Sequence, residues 1–147
     1  MRISQLLLDK RPDVVSVAPS ESVGRAVALM QREHVGAVLV LDPEQHVLGV
    51  LSERDVVHHL ADAPINVLQK PVFDIARRDG PVAVLEDSVQ AVMERMTQSR
   101  ARHVPVLRFG RVVGIVSIGD VVKSLLEEKT RENTVLQDIA RAQFFAS

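Results

Sequence analysis

Apolar positions along the chain follow two spacings. Val23, Ala26, Val27 and Met30 stand at i, i+3, i+4 and i+7, the one-face stripe of an amphipathic helix. Val89, Val92, Met93 and Met96 repeat that spacing. Other apolar residues form short continuous runs. Val38-Leu39-Val40-Leu41 reads as a strand covered on both faces, and Val47-Leu48-Gly49-Val50-Leu51 as the next strand. A polar turn over residues 42–46 reverses the chain between them, and Arg108-Phe109-Gly110-Arg111 is the matching turn later on. A short strand over residues 14–17 leads through Pro19-Ser20-Glu21-Ser22 into the first helix, and Ser52 opens a second.

The pattern is written twice. Ser22, Val23 and Met30 recur as Ser88, Val89 and Met96, and Val38, Val40 and Leu41 recur as Val104, Val106 and Leu107, all 66 positions on. Past the turn the offset drops to 65: Val47, Gly49, Ser52, Asp55, Val56 and Val57 return as Val112, Gly114, Ser117, Asp120, Val121 and Val122. Upstream, Val15 and Val17 match Val82 and Val84 at 67. The slips fall at turns, where insertions are tolerated. Each copy reads β-α-β-β-α, an α/β (α+β) pattern. A unit of about 45 residues rarely closes its own core, so the copies are expected to pack on each other around a pseudo-twofold axis.

The expected organisation is a first repeat over residues 1–62 with an N-terminal helix, a linker over 63–80, a second repeat over 81–126 and a helical tail over 127–147. The joining segment carries Pro64, Pro71 and Pro81, with a short helical piece expected near residues 72–78. In the tail, residues 127–133 are highly polar, and Thr134-Val135-Leu136-Gln137 resembles a capping box that starts a new helix. Val135, Leu136, Ile139, Ala142 and Phe144 or Phe145 form its apolar face, which either docks on its own domain or pairs with a second subunit.

Composition narrows the classes. The 147 residues are 46% hydrophobic and 25% charged, with a formal net charge of −1. That excludes a generally basic nucleic-acid binder and a highly charged disordered chain. Cys is absent, which excludes disulfides, thiolate metal sites and Cys nucleophiles. With no Trp or Tyr and four Phe, a base-stacking platform is not expected. No apolar run reaches a membrane span, and the N-terminal apolar stretch is too short for a secretory signal, so a cytoplasmic location is expected.

The sharpest local signal is Gly49-Val50-Leu51-Ser52-Glu53-Arg54-Asp55 and its echo Gly114-Ile115-Val116-Ser117-Ile118-Gly119-Asp120. Each puts Ser-x-x-Asp at a strand-to-helix junction. One reading is a capping box alone. The other is a nucleoside site, in which the two oxygens of a carboxylate meet a vicinal ribose diol, and the helix N-terminus keeps that carboxylate ionised. Both can hold at once. His58-His59 cannot share a helix face, so a metal site is not expected there, and His34 and His46 read as surface residues beside turns. Arg77-Arg78 with Lys70 reads as solvated surface. Metalloprotease, nucleophile-elbow and phosphate-loop patterns are absent from the sequence.

The tandem copies, each ending Gly-h-h-Ser-x-x-Asp-h-h (h, apolar), resemble a cystathionine β-synthase (CBS) domain pair, or Bateman module. Arg102-His103-Val104-Pro105-Val106 followed by the run from Val112 to Lys123 is characteristic of that family, as is Ser16-Val17-Ala18-Pro19-Ser20-Glu21-Ser22-Val23. The resemblance covers roughly residues 3–126. It implies adenosyl ligands in two clefts between the copies: AMP foremost, NAD or ATP as alternatives, with ADP, S-adenosylmethionine and cyclic dinucleotides also known in the family. No further cofactor is implied. Carried over by position, Asp55 and Asp120 hold ribose hydroxyls, with Ser52 and Ser117 near ribose or phosphate. Val15, Ser16, Val17, Val35 and Gly36 line the adenine slot of the Asp120 cleft, with Ile115 across it. Arg102 and His103 stand where the family often places phosphate-binding cations. The Asp120 cleft is therefore expected to be the stronger phosphate binder, while the Asp55 cleft recruits Arg54, or holds another ligand or none.

The function this implies is a regulatory, signal-transducing module without a catalytic domain. Ligand would shift the geometry of a homodimer, which a separate protein reads. The rival is a ligand-free interaction scaffold in which both Ser-x-x-Asp units are only caps. An enzyme is the least supported, because no nucleophile–base pair or metal set is visible.

Overall fold

A computed structural model describes residues 1–10, 14–62 and 65–146, with side chains through residue 143. Pro64 and the side chains of Phe144 and Phe145 lie outside the described residues. The first half contains β1 (Ser16–Val17), α2 (Val23–Glu33), β2 (Ala37–Leu41), β3 (Val47–Ser52) and α3 (Glu53–Asp62), preceded by α1 (Ile3–Leu8). A joining helix, α4 (Val72–Ile75), leads to β4 (Ala83–Val84), α5 (Val89–Ser99), β5 (His103–Arg108), β6 (Arg111–Ser117) and α6 (Ile118–Ala146). The β-α-β-β-α order read from the sequence is present in both halves.

Each half holds a three-stranded sheet in which a parallel pair is followed by an antiparallel pair. The register repeats as well: Val17 faces Val40, as Ala83 faces Val106, so Ala83 and not Val84 holds the buried place of Val17. Each hairpin carries an irregularity, at Val40/Leu41 and at Val106/Leu107, one repeat apart. The loops beyond differ. Asp42 Oδ1 accepts from the backbone of Glu44 and His46 in the first, whereas Phe109 and Gly110, both at positive φ, make the tight second turn. That difference is where the repeat offset slips.

The helices start and stop as their ends dictate. Ser22 caps α2 through Arg25 N–H and Ser88 caps α5 through Ala91 N–H. Both helices end on a left-handed residue, His34 and Arg100. The stripes pack inward: Val23, Ala26 and Met30 join Val38, Val40 and Leu51 in one core, and Val89, Val92 and Met96 join Val104, Val106 and Val116 in the other. Val27 departs from the expected stripe and is 37% exposed.

Two expectations change. Counted with the first repeat by chain order, α1 instead packs in the second core, where Ile3 and Leu6 are buried. It does there what α4 does in the first half. Ile3 N–H donates to Asp87 O as Val72 N–H donates to Glu21 O, and Val89 N–H to Met1 O as Val23 N–H to Lys70 O. The bridges Arg2–Ser88 and Ser22–Pro71 match in the same way. Each half is thus completed by the segment that precedes the other half in the chain. Second, no new helix begins at Thr134; α6 runs unbroken for 29 residues. The Glu, Lys and Arg of residues 127–133 are good helix formers, and Thr134 Oγ1 bonds back to Thr130 O at 3.0 Å instead of capping.

Candidate functional site

Both predicted capping boxes form. Ser52 N–H and Ser52 Oγ donate to Asp55 Oδ2 at 3.0 and 2.8 Å, and Asp55 N–H donates to Ser52 Oγ at 3.2 Å. In the second half Ser117 N–H donates to Asp120 Oδ2 at 2.8 Å, and Asp120 N–H donates to Ser117 Oγ at 3.1 Å. In each carboxylate Oδ2 serves the cap, and Oδ1 has no hydrogen-bond partner among the described residues. Each carboxylate also lines a cavity, of 340 Å³ for Asp55 and 320 Å³ for Asp120. Capping and openness to a ligand coexist.

The Asp120 cleft gathers Val15, Val35, Gly36, His103, Ile115 and Ser117, as expected by position. Ser16 and Val17 do not join it. Val17 is buried in the first core and Ser16 is solvent-exposed beside Leu29 and Gln45, because successive side chains of β1 point to opposite faces. The Asp55 cleft takes Ser52, Arg54, Gly36, Arg102 and His103.

The distribution of cations reverses the expectation. Arg102 lies on the wall of the Asp55 cleft and does not line the Asp120 cleft. The chain enters β5 from the left-handed cap at Arg100, and Arg100, Ala101 and Arg102 all fall on the Asp55 side. His103, the next residue, lines both clefts and partitions them, with its Nε2 3.5 Å from where a Cβ on Gly36 would sit. It is not a ready cation. Burial pushes its pKa down and the Lys10 charge adds to that, outweighing Asp120, Glu53 and Asp55, so the imidazole is neutral at pH 7.

Arg77 and Arg78, read as solvated surface, also line the Asp55 cleft. Arg77 Nη2 donates to Ser99 O at 2.7 Å, and the Arg78 guanidinium lies 4.6 Å from the centroid of Phe73. Gly49 lets this segment approach: a Cβ there would stand 3.0 Å from Arg77 O and 3.2 Å from Ala76 Cβ. Arg54, Arg100 and Arg102 make no ion pair or side-chain hydrogen bond with the described residues. Five arginines thus line one cavity with Glu53 and Asp55, Arg77 among them already held by Ser99 O and Asp79.

The Asp120 cleft holds Lys10 and Glu33 beside its predicted residues. Lys10 Nζ bonds Asp120 Oδ2 and donates to Ile115 O at 2.5 Å. Burial alone would raise the Asp120 pKa; the Lys10 bond and charge, with the N–H and hydroxyl of Ser117, outweigh it and hold the carboxyl below its ordinary value. Sequence reading missed Lys10, Glu33, Arg77, Arg78 and Arg100 as site residues. A signal existed for two of them: Ile3-x-x-Leu6-Leu7 mirrors Val72-x-x-Ile75-Ala76, so the stretches after each, carrying Lys10 and Arg77, occupy related places.

Two β-α-β-β-α halves, each with a capped, cleft-lining Asp at its strand-to-helix junction, define a tandem-repeat architecture, and the chain belongs to the CBS domain family, whose profile matches residues 4–62 and 72–127. Among its relatives, the mitochondrial CBS domain-containing protein CBSX3 of Arabidopsis thaliana is 32% identical over 116 residues. That match covers 76% of this chain, which spans 56% of the length of the Arabidopsis protein. Among solved structures, the CBS-domain protein ATU1752 of Agrobacterium tumefaciens is 39% identical with a TM-score of 0.80, covering 84% of this chain and 98% of that one. The CBS domain protein PAE2072 of Pyrobaculum aerophilum, complexed with AMP, is 28% identical with a TM-score of 0.73, covering 82% and 89%. Among the described residues, no helix is long and apolar enough to cross a membrane.

Proposed function

We propose that the chain is a regulatory module that binds an adenine nucleotide, AMP foremost with NAD or ATP as alternatives, and signals by a change of geometry to a separate protein. One observation carries this: an open Asp55 carboxylate oxygen shares a 340 Å³ cavity with five arginines. The carboxylate suits a ribose diol. The guanidiniums suit phosphate, which they can grip with two parallel bonds. An Asp at one end repels phosphate, so the cations at the other end fix the direction of the ligand. The Pyrobaculum relative, complexed with AMP, supports the ligand class. In this reading Asp55 and its arginines bind and orient the ligand, and the module is a sensor, not an enzyme, working in the cytoplasm as a homodimer.

Calorimetric titration with AMP on wild type and Asp55→Ala tests it. Loss of the diol contacts is expected to weaken binding by about 1.5–3 kcal/mol. Asp55→Asn, which keeps an acceptor for the cap, separates binding from folding. Saturating AMP at 100 times its Kd should stabilise the wild type by about 2.7 kcal/mol. No heat and no thermal shift with AMP, ATP, NAD or S-adenosylmethionine would leave the ligand-free scaffold standing.

A further inference from the structure

The two Ser-x-x-Asp units have the same local geometry but different company. Asp55 meets no cation within bonding distance among the described residues. Asp120 carries the ammonium of Lys10. The first half shows why an amine settles there. Val50 O accepts the backbone N–H of Arg77 at 2.9 Å, because the segment after α4 pairs with β3. At the related place in the second half, Ile115 O receives Lys10 Nζ at 2.5 Å. A side-chain ammonium does the work of a backbone donor, and its remaining charge lands on the neighbouring carboxylate.

We propose that Lys10 is an internal competitor for the Asp120 cleft: its ammonium stands in the cleft on Asp120 Oδ2, beside the open Oδ1, and neutralises the charge that would draw ribose hydroxyls, so a ligand takes the carboxylate only as Lys10 leaves. The proposal rests on the nucleoside reading of the clefts and adds an order to them. The Asp55 cleft, with its carboxylate unpaired, fills first. The Asp120 cleft fills at higher ligand concentration, because apparent affinity is reduced by the fraction of molecules in which the site is free. Lys10 and Asp120 side chains are 26% and 28% exposed, so the part-buried pair still borders water, into which a released ammonium can be solvated. Other carboxylates are adjacent, since Asp9 and Glu127 line one depression together with Lys10, Asp120 and Lys123.

The test is a methyl-NMR titration with adenosine, which has the diol but no phosphate. The Ile115 δ1 methyl reports the Asp120 cleft and the Val50 methyls report the Asp55 cleft. A pair closed about nine-tenths of the time lowers apparent affinity about tenfold. Lys10→Met should therefore move half-saturation at Ile115 to about tenfold lower adenosine, leave Val50 unchanged, and abolish the difference between the clefts. Lys10→Arg, which keeps the charge, should leave Ile115 as in the wild type. Unchanged or weaker binding at Ile115 in Lys10→Met, with Val50 still responding, overturns the competitor and leaves the nucleoside reading intact. Silence at both methyls in every variant overturns both.

Discussion

His103 stands between the clefts and couples them to pH. Burial is the main force lowering its pKa, with the Lys10 charge second, against three opposing carboxylates. The unfolded chain has an ordinary histidine near 6.5. As pH falls below that value the unfolded state takes up the proton first, so the stability contributed by the neutral ring is complete above about 6.5 and is lost as pH descends through the folded value. The urea midpoint of the wild type should drop between about pH 7 and about pH 5, and His103→Gln should flatten that part of the curve. An equal slope in both proteins would remove His103 as its cause. The Ser-x-x-Asp pairs were legible because cap and carboxylate are three residues apart on one strand-to-helix turn. The cleft each neighbouring side chain enters was not: Arg102 and His103 are adjacent, yet only His103 reaches Asp120's side.

At the scale of elements, the finding is where α1 and α4 pack: α1 in the half that chain order does not assign it, α4 in the half that lies before it. Both are short, six and four residues, and isolated helices of that length are not stable in water. They exist because each fills a place beside a sheet. Gly114 shows how close α1 comes, with a would-be Cβ 3.0 Å from Leu7 Cδ2. Ile3 is fully buried among Val89, Val92 and Val104 of the distant half. Ile3→Ala should cost about 2–5 kcal/mol in urea unfolding, as large a loss as at a central core position. A cost under about 0.5 kcal/mol, the range of surface substitutions, would show that α1 is dispensable to the second core.

At the scale of the whole molecule, α6 outruns the body it belongs to. Val121 and Ser124 are buried, but every side chain of residues 129–143 is exposed. A half-helix without tertiary contacts is marginal in water, and this one presents Val135, Leu136 and Ile139 to solvent at 50–63%. The homodimer proposed above supplies a partner for that face. Leu136→Glu should halve the mass measured by light scattering and lower helical content by circular dichroism. A wild type that runs as a single chain would remove the dimer from the reading.

The sequence by itself determined most of what is local along the chain. The repeat, the strand and helix order, the caps at Ser22, Ser88, Ser52 and Ser117, and the two carboxylates follow from side-chain spacing and hydrogen bonds a few residues long. Only the tertiary structure decided which segment completes which half, and through that which cleft holds which charge. The segment after α4 brings Arg77 and Arg78 to Asp55, and the segment after α1 brings Lys10 to Asp120. Those contacts join residues as far apart as Lys10 and Asp120, and packing against the sheets sets them, so two nearly identical motifs end with different electrostatic surroundings.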